Sequence, residues 1–169
     1  MFSTVKQQDL ITFRGRSAYA GFSLIELITV IALLAVLMGI GMPAFRDMVA
    51  DQKVRTVAAS LHSSILIARA EAIKRNRTIR LRPATDEAWG DGWLIPNPAS
   101  INSDTSPVHR ERLNAAVTIT SAATVLDFRP SGRASGSVTF ELESTTDATK
   151  KRCVSVGLDG RATTARGGC

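Results

Sequence analysis

"AGFSLIELITVIALLAVLMGIGMPAF", residues 20–45, reads as a membrane span with one discordant letter. From residue 22 to residue 45 the only ionisable side chain is Glu26. The run is longer than the roughly 20 apolar residues a helix needs to cross hydrocarbon. A carboxylate near the bilayer centre costs about 2.5–3.5 kcal/mol on insertion scales. Unless a counter-charge compensates it, leucine would serve better at this position.

The flanks give the run a direction. Lys6, Arg14 and Arg16 stand against Asp9 on its N-terminal side, whereas Arg46, Asp47, Asp51 and Lys53 nearly cancel on the other. The positive-inside rule therefore places the N-terminus in the cytoplasm and the body outside. A secretory signal peptide carries its small-residue cleavage site after the apolar region. Here Ala18-Tyr19-Ala20 precedes it. A cut near residue 21 removes the basic leader and keeps the hydrophobic helix.

Gly21, Phe22, Ser23, Leu24, Ile25 and Glu26 resemble the processing site of type IV prepilins and type II secretion pseudopilins. The resemblance implies a peptidase that cuts after Gly21 and methylates the new N-terminal residue, Phe22. Glu26 becomes the fifth residue of the mature chain, and Pro43 matches a proline common late in the family's apolar run. It also implies a partner for Glu26: the ammonium that cleavage creates on a neighbouring subunit. A buried charge without its partner is heavily penalised, so the pair would set register between packed helices. Gly39, Gly41 and Pro43 weaken the helix locally, by low propensity and a missing backbone donor. They read either as a kink or as a segment that stretches in a filament.

Beyond this run about 120 residues remain, enough for one small domain. The chain has 169 residues, 44% hydrophobic and 21% charged, and a net charge of +6. Val54, Val57, Ala58, Leu61, Ile65, Ala68 and Ala72 recur at steps of three and four, the spacing of an amphipathic helix that ends near Arg75. His62 reads as a surface or half-buried side chain of that helix. Strands are expected at residues 78–82, 93–95, 117–119, 125–128, 138–142 and 153–156. A hairpin-type turn is expected at residues 89–93 and turns at Pro130-Ser131-Gly132 and Leu158-Asp159-Gly160, with a loop over 96–107 and a tail after residue 160. The fold class is therefore α+β: a long N-terminal helix packed on a C-terminal antiparallel β-domain. Residues 1–21 form the leader, 22–45 the transmembrane or filament-core half of the helix, 46–76 its amphipathic half, and 77–169 the β-rich domain.

"SILIARAEAIKRNRTIRL", "WGDGWLI", "LDFRPSG" and "CVSVGLDGRA" extend the resemblance to the FimT/GspH group of minor pilins and pseudopilins, over almost all of residues 20–169. No histidine pair, metal-ligand spacing or phosphate-binding glycine loop is present to support catalysis. Asp86, Glu87 and Asp91 near the tryptophans read as solvated turn residues. No enzyme, cofactor or metal is expected. In an oxidising compartment Cys153 and Cys169 default to a disulfide, and closing a loop of about 15 residues is worth roughly 3 kcal/mol in the chain-entropy model.

Some FimT-like pilins contact DNA through a C-terminal Gly-Arg-x-Arg motif. The sequence Gly160-Arg161-Ala162-Thr163 keeps the first arginine and replaces the second with Thr163. Arg166 follows, and Lys150, Lys151 and Arg152 precede Cys153. These five cations are the candidate contacts to double-stranded DNA, acting on phosphates rather than bases. Arg75, Arg77, Arg80 and Arg82 form a second basic group. The resemblance thus implies a minor type IV pilin of the bacterial inner membrane, its domain in the periplasm. Its partners are other pilins, the prepilin peptidase/N-methylase, the membrane and DNA. A type II secretion pseudopilin with a structural role is the alternative.

Overall fold

The computed structural model describes residues 21–85, 88–99, 106–113 and 116–169. The leader cations, the Ala18-Tyr19-Ala20 triplet, Asp86 and Glu87 lie outside the described residues. Two compact units divide the chain, one ending at Ile40 and the other running from Gly41 to Cys169.

Helix α1 spans Leu24–Arg75, and its helical assignment runs unbroken through Gly39, Gly41 and Pro43. Within the first unit every described side chain is exposed. The most apolar window of α1 has a mean hydropathy of 2.5, and none of it is buried within the chain. An exposed apolar surface of this extent marks a membrane or protein interface.

In the second unit α1 buries one stripe: Val54, Ala58, Leu61, Ile65, Ala68 and Ala72 are all at 0% exposure. The alternating steps of four and three keep these side chains on one face. At the helix end the Asn76 N–H donates to Ile73 O and the Arg77 N–H to Ala72 O. Asn76, at φ 49°, supplies the left-handed residue that this stop requires. Lys74 and Arg75 in the last turn complement the helix dipole.

Among the described residues eight strands follow: β1 (Ile79–Pro83), β2 (Gly92–Ile95), β3 (His109–Arg112), β4 (Val117–Thr120), β5 (Leu126–Phe128), β6 (Val138–Ser144), β7 (Lys151–Val156) and β8 (Ala162–Arg166). They form two four-stranded sheets, in the orders β3-β2-β1-β5 and β4-β6-β7-β8, with every pairing antiparallel. The helix stripe shares one core with Leu81, Trp93 and Phe128 of the first sheet and with Phe140, Leu142 and Val154 of the second. Trp89 meets Phe140 edge-on, with ring centroids 4.8 Å apart, and donates Nε1–H to Ala123 O.

Three expectations differ. Residues 89–91 form a short 3-10 turn directly before β2 rather than a hairpin turn, and β1 and β2 pair antiparallel. β3, with the sequence HRER, alternates in exposure but lacks apolar residues, so its pattern is invisible to hydropathy. The expected tail after residue 160 contains β8, an edge strand built of Ala, Thr and Arg.

Candidate functional site

The residues singled out from the sequence fall in two regions, the start of α1 and the β7–β8 hairpin. In the first, Gly21 and Phe22 precede α1, Phe22 is exposed, and Glu26 sits in the first turn of the helix. Thr29 Oγ1 donates to the backbone carbonyl of Glu26. Among the described residues no hydrogen bond or ion pair reaches the Glu26 carboxylate. A lone carboxylate therefore stands on an exposed apolar helix. Pro43 belongs to the second unit, inside α1.

The second region is the β7–β8 hairpin and its surroundings. Cys153 in β7 is bonded to Cys169, with Cα atoms 5.0 Å apart. The tail is held further by Gly167 N–H to Lys151 O and by Cys169 N–H to a Glu141 carboxylate oxygen. Lys151 Nζ lies 2.9 Å from Glu141 Oε1 and 2.8 Å from Glu143 Oε2. These hydrogen bonds, Glu143's first, raise the Lys151 ammonium above its ordinary 10.5. The Lys151 hydrogen bond and then the Cys169 N–H hold Glu141 below its ordinary 4.5. Lys150 Nζ is 3.5 Å from Asp147 Oδ2. Arg152 and Arg166 face each other across the ladder, and both reach Asp51 on α1, at 3.3 and 3.8 Å.

The structure thus sorts the five cations chosen from sequence. Lys150, Lys151 and Arg152 face carboxylates, and the Arg152 side chain is only 15% exposed. Arg161 and Arg166 project, with side chains 79% and 81% exposed. Arg161 immediately precedes β8 and Arg166 ends it, roughly 16 Å apart at about 3.3 Å per residue. Arg161 Nε keeps a loose contact of 3.6 Å with the exposed Asp159. In the second basic group Arg80 is bidentate on Asp127, Arg75 is paired with Glu71, and Arg77 donates to Pro98 O. His62 is half-buried and donates Nε2–H to Ala162 O, tying α1 to β8.

Sequence reasoning passed over Arg69, Arg129 and Arg133. The turn at residues 130–132 is legible, but nothing in the sequence says what it touches. Arg129 N–H donates to Arg133 O and Gly132 N–H to Arg129 O, closing the turn. Its Gly132 packs directly on Gly160 of the β7–β8 turn, and both glycines have positive φ, 76° and 74°. Arg69 lies against the two glycines, its Nε buried without a hydrogen-bond acceptor. Among the described residues no cluster of His, Cys, Asp or Glu could hold a metal ion.

Known structures share this fold. The type IV minor pilin FimU of Pseudomonas aeruginosa PAO1, in two crystal forms, is 22% identical, with TM-scores of 0.56 and 0.58. The matches cover 66% and 68% of this chain and 91% and 89% of FimU. The minor pseudopilin EpsH of the Vibrio cholerae type 2 secretion system is 12% identical, with a TM-score of 0.52 over 67% of this chain and 96% of EpsH. A comparison with curated protein sequences gave no match. The prokaryotic N-terminal methylation motif covers residues 16–42, and the family described as type II transport protein GspH covers residues 57–160. With more than half its length so matched, the chain belongs to the GspH family and is a pilin-like protein of the minor pilin and pseudopilin kind.

Proposed function

We propose that this protein is a minor subunit of a type IV pilus that contacts DNA electrostatically during uptake in natural transformation. The observation that carries the filament role is Glu26, a carboxylate on an exposed apolar helix with no partner among the described residues. It would be the fifth residue after cleavage. Hydrolysis of the peptide bond between Gly21 and Phe22 by the prepilin peptidase frees an α-amine whose ordinary pKa is about 7.7–8.0. Methylation of Phe22 leaves that nitrogen basic. Before assembly, residues 22–45 anchor the subunit in the inner membrane with the β-domain in the periplasm, a compartment where the Cys153–Cys169 bond persists. On assembly, Glu26 of one subunit meets the Phe22 ammonium of its neighbour. At 4 Å and an effective dielectric of 20 such a pair attracts by about 4 kcal/mol. One register satisfies both charges, and slipped registers strand them.

The exposed Arg161 and Arg166 support the DNA part of the reading. Guanidinium groups on a projecting hairpin meet phosphates without reading bases, and affinity falls with salt.

Mass spectrometry of the native polypeptide should find residues 1–21 absent and Phe22 methylated. The Glu26→Gln variant should enter filaments far less than the parent. A retained leader, or equal incorporation of the variant, would overturn the assignment. The GspH family match favours a second reading, a type II secretion pseudopilin. Deletion of the gene separates the two. Lost transformation supports the pilus role, and blocked protein secretion with transformation intact selects the pseudopilus.

A further inference from the structure

Most cations around the β7–β8 hairpin face a carboxylate, but the surface formed by its tip and the neighbouring turn does not follow that pattern. Arg129 and Arg133 flank Gly132, both exposed, with no side-chain hydrogen bond or ion pair among the described residues. Arg161 follows Gly160, and among the described residues its one acidic contact is the solvent-exposed Asp159. Because Gly132 and Gly160 pack backbone to backbone, the three arginines emerge from touching turns. Arg69, against both glycines, adds a fourth charge that no carboxylate meets among the described residues. Like charges gathered without counter-ions repel, so the fold tolerates here a concentration of charge that it neutralises elsewhere.

Beside Arg161 runs a shallow cleft of about 580 Å³ whose lining includes Thr139, Ser155, Asp159 and Thr163. It offers hydroxyls next to the Arg161 guanidinium, the pairing that phosphate oxygens accept. An acidic protein surface would make less use of the hydroxyls, and the Asp159 carboxylate in the same lining, 3.6 Å from Arg161 Nε, faces either anion alike. The chemistry favours phosphate.

We infer that the two-turn tip, with Arg129, Arg133 and Arg161 in front and Arg69 behind, is the principal phosphate-contact surface for duplex nucleic acid. Lys150 and Lys151 contribute little to it. This rests on the DNA reading above and relocates its centre from the disulfide end of the hairpin to the turn end.

The test uses the full processed chain in detergent micelles and a fluorescently labelled duplex of mixed sequence, followed by anisotropy across a salt series. The Arg129→Gln/Arg133→Gln variant should bind more weakly. Its slope of log K against log salt should flatten by about 1.8, at roughly 0.9 for each phosphate that the variant leaves un-neutralised. Arg129→Lys/Arg133→Lys should restore most of the slope, which a merely structural role would not predict. Lys150→Gln/Lys151→Gln should leave it at the parent value. An unchanged slope in the Arg129/Arg133 variant, with binding still abolished on replacing Arg161 and Arg166, overturns this inference and spares DNA binding itself. No binding by the parent at low salt removes both. Poly-glutamate displacing the duplex equally well at matched charge overturns the assignment to phosphate.

Discussion

Asp51 on α1 receives both Arg152 and Arg166, which are direct cross-strand neighbours on β7 and β8. Like charges opposite each other destabilise a sheet, and Asp51 is their shared counter-charge. The two arginines are not equivalent. Arg152 is largely buried and its Nε lacks an acceptor, whereas Arg166 is mostly in water. Asp51→Asn should lower unfolding stability by about 1–2 kcal/mol, through a buried guanidinium left unpaired. Arg166→Gln should cost about 0–1 kcal/mol, the range of exposed ion pairs. Adding Arg152→Met to Asp51→Asn should recover most of the loss. Denaturant melts of the four proteins check the ordering, and equal losses for Asp51→Asn and Arg166→Gln would contradict it.

Ser64 is the polar centre of the core. It is fully buried, accepts Trp93 Nε1–H at 2.8 Å, and lies 2.9 Å from both His109 Nε2 and Ser60 O. One hydroxyl thus joins α1 to β2 and β3. Ser64→Ala should cost about 1–3 kcal/mol, the desolvation penalty of a buried donor left unsatisfied at Trp93. Trp93→Phe removes that donor together with its partner's need, so the double variant should be less destabilised than the sum of the two single changes. Thermal melts in a double-mutant cycle measure the coupling.

Gly160 holds φ 74° while its backbone packs on Gly132. A Cβ at Gly160 would collide with the Gly132 carbonyl oxygen, which is backbone and cannot rotate away. Gly160→Ala should therefore destabilise by more than the roughly 1–2 kcal/mol of left-handed strain alone. Gly167, at φ 97° but with open space around it, should cost only the strain. Comparing the two alanine variants by chemical denaturation separates collision from conformation. The same collision would part the turns that present Arg133 and Arg161.

Much of this architecture is legible from the chain. The stripe from Val54 to Ala72 has a period that only a helix satisfies, and it is the buried face of α1. Ile79 and Leu81 alternate with Arg80 and Arg82, and β1 buries the first pair. β3 and β8 escaped because edge strands are specified by backbone pairing, with side chains that face water. The arginine tip escaped for a different reason. Arg69, Arg129 and Arg161 are far apart in sequence, and the contact that gathers them is between two glycine backbones. The ion pairs of Lys151 and Arg152 are likewise cross-strand or long-range facts that a run of basic letters does not encode, whereas Lys150 pairs locally with Asp147.

Stability should follow pH through the same pairs. Glu141, held by Lys151, and Glu71, held by Arg75, both lie below their ordinary 4.5. Asp147 lies below 3.8, chiefly through Thr149. A carboxyl whose folded pKa is depressed takes up protons more readily when unfolded. Its contribution is therefore complete above the ordinary value and disappears as pH falls through the folded one. Lys151 has the opposite sign. Its raised pKa contributes fully below 10.5 and is lost as pH climbs through the folded value. Urea midpoints should form a plateau between these limits, dropping below about pH 4.5 and again above about pH 10.5. Glu141→Gln should shallow the acid limb, and Lys151→Met should shallow both, because it removes the partner that depresses Glu141. A Lys151→Met variant with the parent's acid limb would show that the lysine does not hold that carboxylate in its charged form.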